Sequence, residues 1–184
     1  MRPLLVTVTG PPGSGKSTLA HALAAELGCP AILYDEVKHG LLMNAVGPLP
    51  NTEPFDMPAL DAFARTLGVL LWADVTVVTV VTEADFQDIL WLRALESLTD
   101  VANLRIIRCH TPAQATADRI DEPAARDRHR TAPTDQQLHT DISTIAHVTQ
   151  ALAEVLLDAP TLLVDTSDGY RPALSGITAY VRHR

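Results

Sequence analysis

Lysine is almost missing from this chain: only Lys16 and Lys38 stand against twelve arginines. The guanine-reading pattern Asn/Thr-Lys-x-Asp occurs nowhere in the sequence, which argues against a GTPase. Positive charge is short as a whole. The 14 Lys+Arg against 22 Asp+Glu leave a net charge of −8, whereas a sequence-wide grip on nucleic acid needs a basic surface to meet the phosphates. Only a local basic groove stays open. Cysteine is limited to Cys29 and Cys109, without metal-type spacing and each in or beside an apolar segment. Both are expected to be buried, reduced thiols. Long apolar runs are lacking too. The segment Val75–Val81 is strand length, and Thr7 and Thr9 interrupt the opening run. Neither a membrane span nor a secretory signal is expected, and the expected location is the cytoplasm. No internal repeat occurs.

What is present suits one ordinary domain covering residues 1–184, with 47% hydrophobic and 20% charged residues and enough chain for a single substantial core. Its most informative segment is Gly10-Pro11-Pro12-Gly13-Ser14-Gly15-Lys16-Ser17-Thr18, which fits the phosphate-binding pattern G-x-x-x-x-G-K-S/T at every fixed position. The apolar run Leu4–Thr9 before it reads as a buried strand. The alanine-rich run Leu19–Leu27 after it reads as a helix that Gly28 can end. A strand, a glycine loop and a helix N-terminus aim successive backbone N–H groups into one concavity, with the helix dipole behind them. Gly10, Gly13 and Gly15 let phosphate oxygens approach the main chain. The expected nucleotide contacts are Gly10, Pro12, Gly13, Ser14, Gly15, Lys16, Ser17 and Thr18, with Lys16 on the β/γ-phosphates and the Ser17 hydroxyl on Mg²⁺.

The strand–helix rhythm repeats. Ala31–Tyr34, Val75–Val81, Leu104–Cys109 and Leu162–Val164 read as strands. Helical stretches are expected over 35–46, 57–73, 85–98, 112–120, 134–157 and 172–181. Apolar strands alternating with helices predict a parallel sheet covered on both faces. Ligands in such sheets sit outside the C-terminal strand ends, which here carry Gly10, Asp35, Glu83, His110 and Asp165. The proline-rich segment Gly47–Pro54 is either a passive connection or a flap over a second substrate.

Asp35 follows the second strand directly. It fits an ordinary helix N-cap, and it equally fits a general base that takes a proton from an attacking hydroxyl. Lys38 lies three residues on, on the same helix face, where it can meet an anionic substrate or hold Asp35 ionised. A solvated surface lysine is its plain alternative. Glu83 ends the most hydrophobic strand, in the position of a Walker-B acid that holds Mg²⁺ through water or orients the acceptor. Asp85 competes with it. Residues 119–130 carry Arg119, Arg126, Arg128 and Arg130 without apolar periodicity. They form either a solvated mixed-charge loop or a lid, about 119–133, whose arginines stabilise transition-state charge. Arg126 and Arg128 are then the catalytic candidates, and Arg119, on the preceding helix, the more rigid phosphate contact. His110 and His129 lie nearest the expected site without metal-ligand partners. His21, His139 and His147 read as helix-surface residues.

With these residues together, the chain resembles the small P-loop kinases of the zeta-toxin and chloramphenicol-phosphotransferase group, and through them the 5′-hydroxyl polynucleotide kinase domain. It looks like an AAA-type, ATP-binding, kinase-like chain. The resemblance rests on Gly10–Thr18, Asp35–Leu41, Val78–Phe86, Arg105–Pro112 and Val164–Tyr170. It implies a five-stranded parallel sheet ordered 2-3-1-4-5, ATP·Mg²⁺ in the phosphate loop, an aspartate base matching Asp35 and an acceptor-site carboxylate matching Glu83. It also implies lid arginines after the fourth strand, and a loop at residues 165–169 close to the adenine. Polynucleotide kinases tend to carry arginine where this chain has Lys38, a departure that points away from nucleic acid.

The expected function is transfer of the γ-phosphoryl of ATP·Mg²⁺ to a hydroxyl of a small molecule. Asp35, Lys16, Arg126 and Arg128 would act in catalysis, Asp35, Lys38 and Glu83 on the acceptor, and Ser17 and Glu83 on the metal. The rivals are a 5′-hydroxyl polynucleotide kinase and an ATP-dependent switch that phosphorylates nothing.

Overall fold

Five of the six residues of the opening run Leu4–Thr9 are buried, the condition of a strand covered on both faces. This is β1, Leu4–Thr9, in a computed structural model that describes residues 2–11, 13–44, 56–80, 98, 100–112 and 159–183. It is followed by α1 (Lys16–Leu27), β2 (Ala31–Leu33), α2 (Tyr34–Met43), α3 (Asp56–Trp72), β3 (Val77–Val80), β4 (Asn103–His110), β5 (Thr161–Asp165) and α4 (Leu174–Arg182). The strands make one five-stranded sheet in the order β2-β3-β1-β4-β5. Every pairing is parallel: Val6 lies opposite Val78 on one side and Arg105 on the other, Leu33 opposite Val80, and Cys109 opposite Val164. The expected topology is the observed one.

The two-residue period of the strands divides the core into two layers. Val6, Val8, Val78, Val80, Ile107, Cys109 and Val164 face α1 and α4 through Leu19, Leu23, Ile177 and Val181. Leu5 and Val77 face α3 through Leu60, Phe63, Leu67 and Leu71. Helices thus cover both faces, and β1 and β3 have no wet side.

Element ends follow local chemistry. Gly28 closes α1 in the left-handed region at φ 71°, its N–H bonding Ala25 and that of Cys29 bonding Ala24, a hydrogen-bonded C-terminal cap. The strand expected from Val75 begins only at Val77. The Val75 N–H bonds back to the Leu70 carbonyl at 2.9 Å, with Asp74 at φ 59°, so it caps α3 and cannot join the ladder. The helix expected from Asp35 begins one residue earlier, and Leu33 occupies its cap position. The helices expected at 112–120 and 134–157 and the segment 47–54 lie outside the described residues, as does nearly all of 85–98.

Candidate functional site

Four of the five polar strand ends read from the sequence gather at one edge of the sheet. β1 runs into Gly10, β2 into Tyr34-Asp35, β4 into His110-Thr111, and β5 into Asp165-Thr166. Glu83 and its competitor Asp85 lie outside the described residues, as do Pro12, Arg119, Arg126, Arg128 and Arg130.

At Gly10 the main chain passes close to β4. A Cβ there would stand 2.6 Å from the Cys109 carbonyl oxygen and 3.1 Å from Ser14 Oγ, and φ is +144°. Only glycine fits both the space and the angle. The loop then turns, the Ser14 N–H bonding the Pro11 carbonyl at 3.2 Å, and enters α1 through Gly15 at φ 80° with no side-chain cap. The first amides of α1 therefore keep the positive end of the helix dipole for a ligand. Lys16 Nζ donates to the Pro11 carbonyl at 2.8 Å, across the mouth of the loop. Ser14 Oγ and Thr9 Oγ1 are buried and have no hydrogen-bond partner among the described residues. Burial pushes the Cys109 thiol beneath the loop up to about 12, while the nearby Lys16 charge pulls it the other way. Glycine-lined backbone, a helix N-terminus and one ammonium suit a polyphosphate, and Ser17 offers a hydroxyl, a hard oxygen of the kind that suits Mg²⁺.

Asp35 is exposed and sits in the first turn of α2. Since Leu33 takes the cap position, the N-cap reading of Asp35 falls. Both its neighbours are anchored. The Tyr34 ring meets Phe63 of α3 edge-to-face, with centroids 6.1 Å apart at 85°. Glu36 Oε1 lies 2.7 Å from His21 Nε2 on α1. Asp35 is thus held between α3 and α1 and remains an exposed residue. Lys38 is half-buried one turn further along. His21, read from the sequence as a surface residue, is instead the link between the phosphate-loop helix and α2. A pairing between residues 15 positions apart on different helices leaves no periodic signal.

A second group unread in the sequence is Thr111 and Thr166. Thr166 Oγ1 donates to the Ser14 carbonyl at 2.7 Å and lies 2.6 Å from Thr111 Oγ1, and the Thr166 N–H bonds the His110 carbonyl at 2.9 Å. Beyond it, reciprocal backbone bonds between Asp165 and Arg171 close the loop. Hydrogen bonds from the Ser167 hydroxyl and N–H, with Arg171 and His110 nearby, hold the Asp165 carboxyl below the usual range. At the opposite end of β4 a cavity of about 500 Å³ is lined by Arg105, Pro160, Ala179, Tyr180 and His183. Among the described residues no helix is long and apolar enough to cross a membrane.

Residues 5–148 match the family model described as AAA domain. No curated protein matches the chain. Solved structures share its fold. A candidate kinase from Chloroflexus aurantiacus J-10-fl superposes with a TM-score of 0.68 at 21% identity, over 98% of this chain and 94% of that one. The shikimate kinase of Bacteroides thetaiotaomicron gives 0.59 at 16% identity, over 97% and 96%. The deoxyadenosine kinase of M. mycoides gives 0.57 at 15% identity, over 96% and 98%. At these identities the likeness is one of architecture, that of the P-loop kinases.

Proposed function

Since the chain belongs to the AAA domain family, we propose that it transfers the γ-phosphoryl of ATP to a hydroxyl of a small molecule. The observation that carries this reading is the pairing of two features at one sheet edge. A glycine-wedged phosphate loop opens α1, and Asp35 sits in the anchored first turn of α2, tied to α1 through Glu36 and His21.

In the proposed reaction the amides of Gly13 to Lys16 and the Lys16 ammonium bind the triphosphate. Asp35 accepts the proton of the acceptor hydroxyl as its oxygen bonds the γ-phosphorus. The bond from that phosphorus to the β–γ bridging oxygen breaks, and ADP leaves with the electron pair. Ser17, and Glu83 through water, would hold Mg²⁺, which would supply charge neutralisation on the phosphates. Arg119, Arg126 and Arg128 fit the stabilising charges of a lid, and Lys38 fits an acceptor contact. The net charge of −8 and the lysine at position 38 favour a small acceptor over a polynucleotide. Within the P-loop kinases, the zeta-toxin and chloramphenicol-phosphotransferase group is the subgroup the motifs favour.

The test is transfer from γ-labelled ATP·Mg²⁺ into pooled nucleosides, amino-sugars, nucleotide sugars, hydroxylated antibiotics and 5′-hydroxyl oligonucleotides, run beside Asp35→Asn. A labelled organic product whose formation falls about 10²–10⁴-fold in the variant, with nucleotide affinity kept, is the expected outcome. Label released only as free phosphate, equally in both proteins, sinks the reading.

A further inference from the structure

The phosphate loop has an internal difficulty. Gly13 at φ 73° and Gly15 at φ 80° flank Ser14, and glycines on both sides leave the intervening peptide planes free to rotate. An anion site needs those planes fixed, because each N–H must point inward before the ligand arrives. The structure shows what holds one of them. The Ser14 carbonyl accepts from Thr166 Oγ1, a residue 152 positions away on the loop after β5. In a trans peptide the carbonyl and the following N–H point in opposite directions. Holding the Ser14 oxygen toward Thr166 therefore aims the Gly15 N–H away from β5.

The hydroxyl chain has a direction. Thr166 Oγ1 has one proton and two carbonyl acceptors in reach, Ser14 at 2.7 Å and His110 at 3.3 Å, and the shorter bond, to Ser14, takes it. The 2.6 Å contact between Thr111 Oγ1 and Thr166 Oγ1 must then run from Thr111 to Thr166. Both threonines are buried, where such a chain escapes competition from water and its members polarise one another. The Thr166 N–H on the His110 carbonyl locks the donor to β4. β4 and β5 thus jointly orient a peptide of the phosphate loop.

We infer that Thr166, backed by Thr111, is a positioning residue that sets the Ser14–Gly15 peptide for phosphate binding. The inference rests on the nucleotide-binding part of the proposed function and not on the phosphoryl acceptor. Its test is direct calorimetric binding of Mg·ATPγS to the full chain and its variants, with melting of the nucleotide-free proteins alongside. Thr166→Val keeps the shape and removes the donor, and weakens binding about 5–10-fold, the usual worth of one hydrogen bond. Thr166→Ser restores the hydroxyl and stays within about 2-fold of the parent. A Val variant that melts earlier yet binds Mg·ATPγS unchanged, or a Ser variant as weak as Val, overturns the inference. If Thr166→Val does not fold, Thr111→Val interrupts the same chain one bond upstream with an expected loss of about 2–3-fold, and no loss there overturns it. A parent protein that fails to bind Mg·ATPγS overturns the loop reading and this inference together. One that binds it but transfers no phosphoryl group overturns the transferase reading alone.

Discussion

The phosphate loop and the first turn of α2 stand at the C-terminal ends of β1 and β2, separated by β3, and are held in different ways. The loop is fixed through its backbone. Gly10 lies against the Cys109 carbonyl, Ser14 is buried, and the Ser14 oxygen is tied to Thr166. The first turn of α2 is fixed through side chains, Tyr34 on Phe63 and Glu36 on His21, and no described residue of α2 is fully buried. The first arrangement suits a ligand part that never varies, a polyphosphate. The second, on the proposed function, would let acceptor chemistry change by substitution without disturbing the core. A site so divided should show donor-side and acceptor-side lesions that separate cleanly in nucleotide affinity.

The two lysines test that division with the largest effect. Lys16→Ala removes a charged donor from the loop and should weaken Mg·ATPγS binding by about 100-fold, near the upper worth of a hydrogen bond to a charged group. Lys38→Ala should leave nucleotide affinity within about 2-fold and raise the acceptor KM, because its helix carries no phosphate-loop backbone. Calorimetry on both variants decides it. Equal losses from the two lysines would dissolve the distinction between the halves.

Two glycines test it through stability, with opposite signs. Gly10→Ala forces a methyl to 2.6 Å from the Cys109 oxygen at a positive φ, which should cost about 2–4 kcal/mol by overpacking and strain. Gly40 lies inside α2, and a methyl added there would meet nothing within 4 Å. Gly40→Ala should therefore stabilise by about 0.5–1 kcal/mol through helix propensity. Urea denaturation of both, read as midpoint shifts at constant slope, checks the pair. A tolerated Gly10→Ala would mean the loop backbone is looser than its contacts require.

The same division explains what can be read in advance. The phosphate loop is legible because its function is written in backbone: closely spaced glycines, a lysine and a hydroxyl within nine positions, flanked by a strand and a helix. The alternation of apolar runs locates all five strands, and the strand order comes with the resemblance that those motifs carry. The start of β3 is misplaced by local propensity because Val75 is β-branched yet spends its N–H on Leu70, a choice made by α3. A capping role for Asp35 fails because Tyr34 enters the helix, drawn by its ring contact with Phe63. Thr166 and His21 are beyond reach for a plainer reason. Their partners are 152 and 15 positions away, and only the closed fold brings them together.

The smallest expected effect probes the proposed acceptor half at its weaker anchor. His21 and Glu36 are both partly exposed, at 27% and 37% of their side-chain surface, so water competes for each and the bond contributes little to stability. Its geometric consequence is larger than its energy, because it ties the helix presenting Asp35 to the helix that begins at Lys16. His21→Ala should shift the melting temperature by no more than a few degrees and leave Mg·ATPγS affinity unchanged. The turnover number should fall about 3–10-fold, the loss expected for one partly exposed hydrogen bond that positions a reacting group. Glu36→Gln retains an acceptor oxygen for His21 and should lose about half as much on the free-energy scale. If His21→Ala instead weakens nucleotide binding and spares turnover, the link serves the phosphate loop, and α2 is placed by Tyr34 and Phe63 alone.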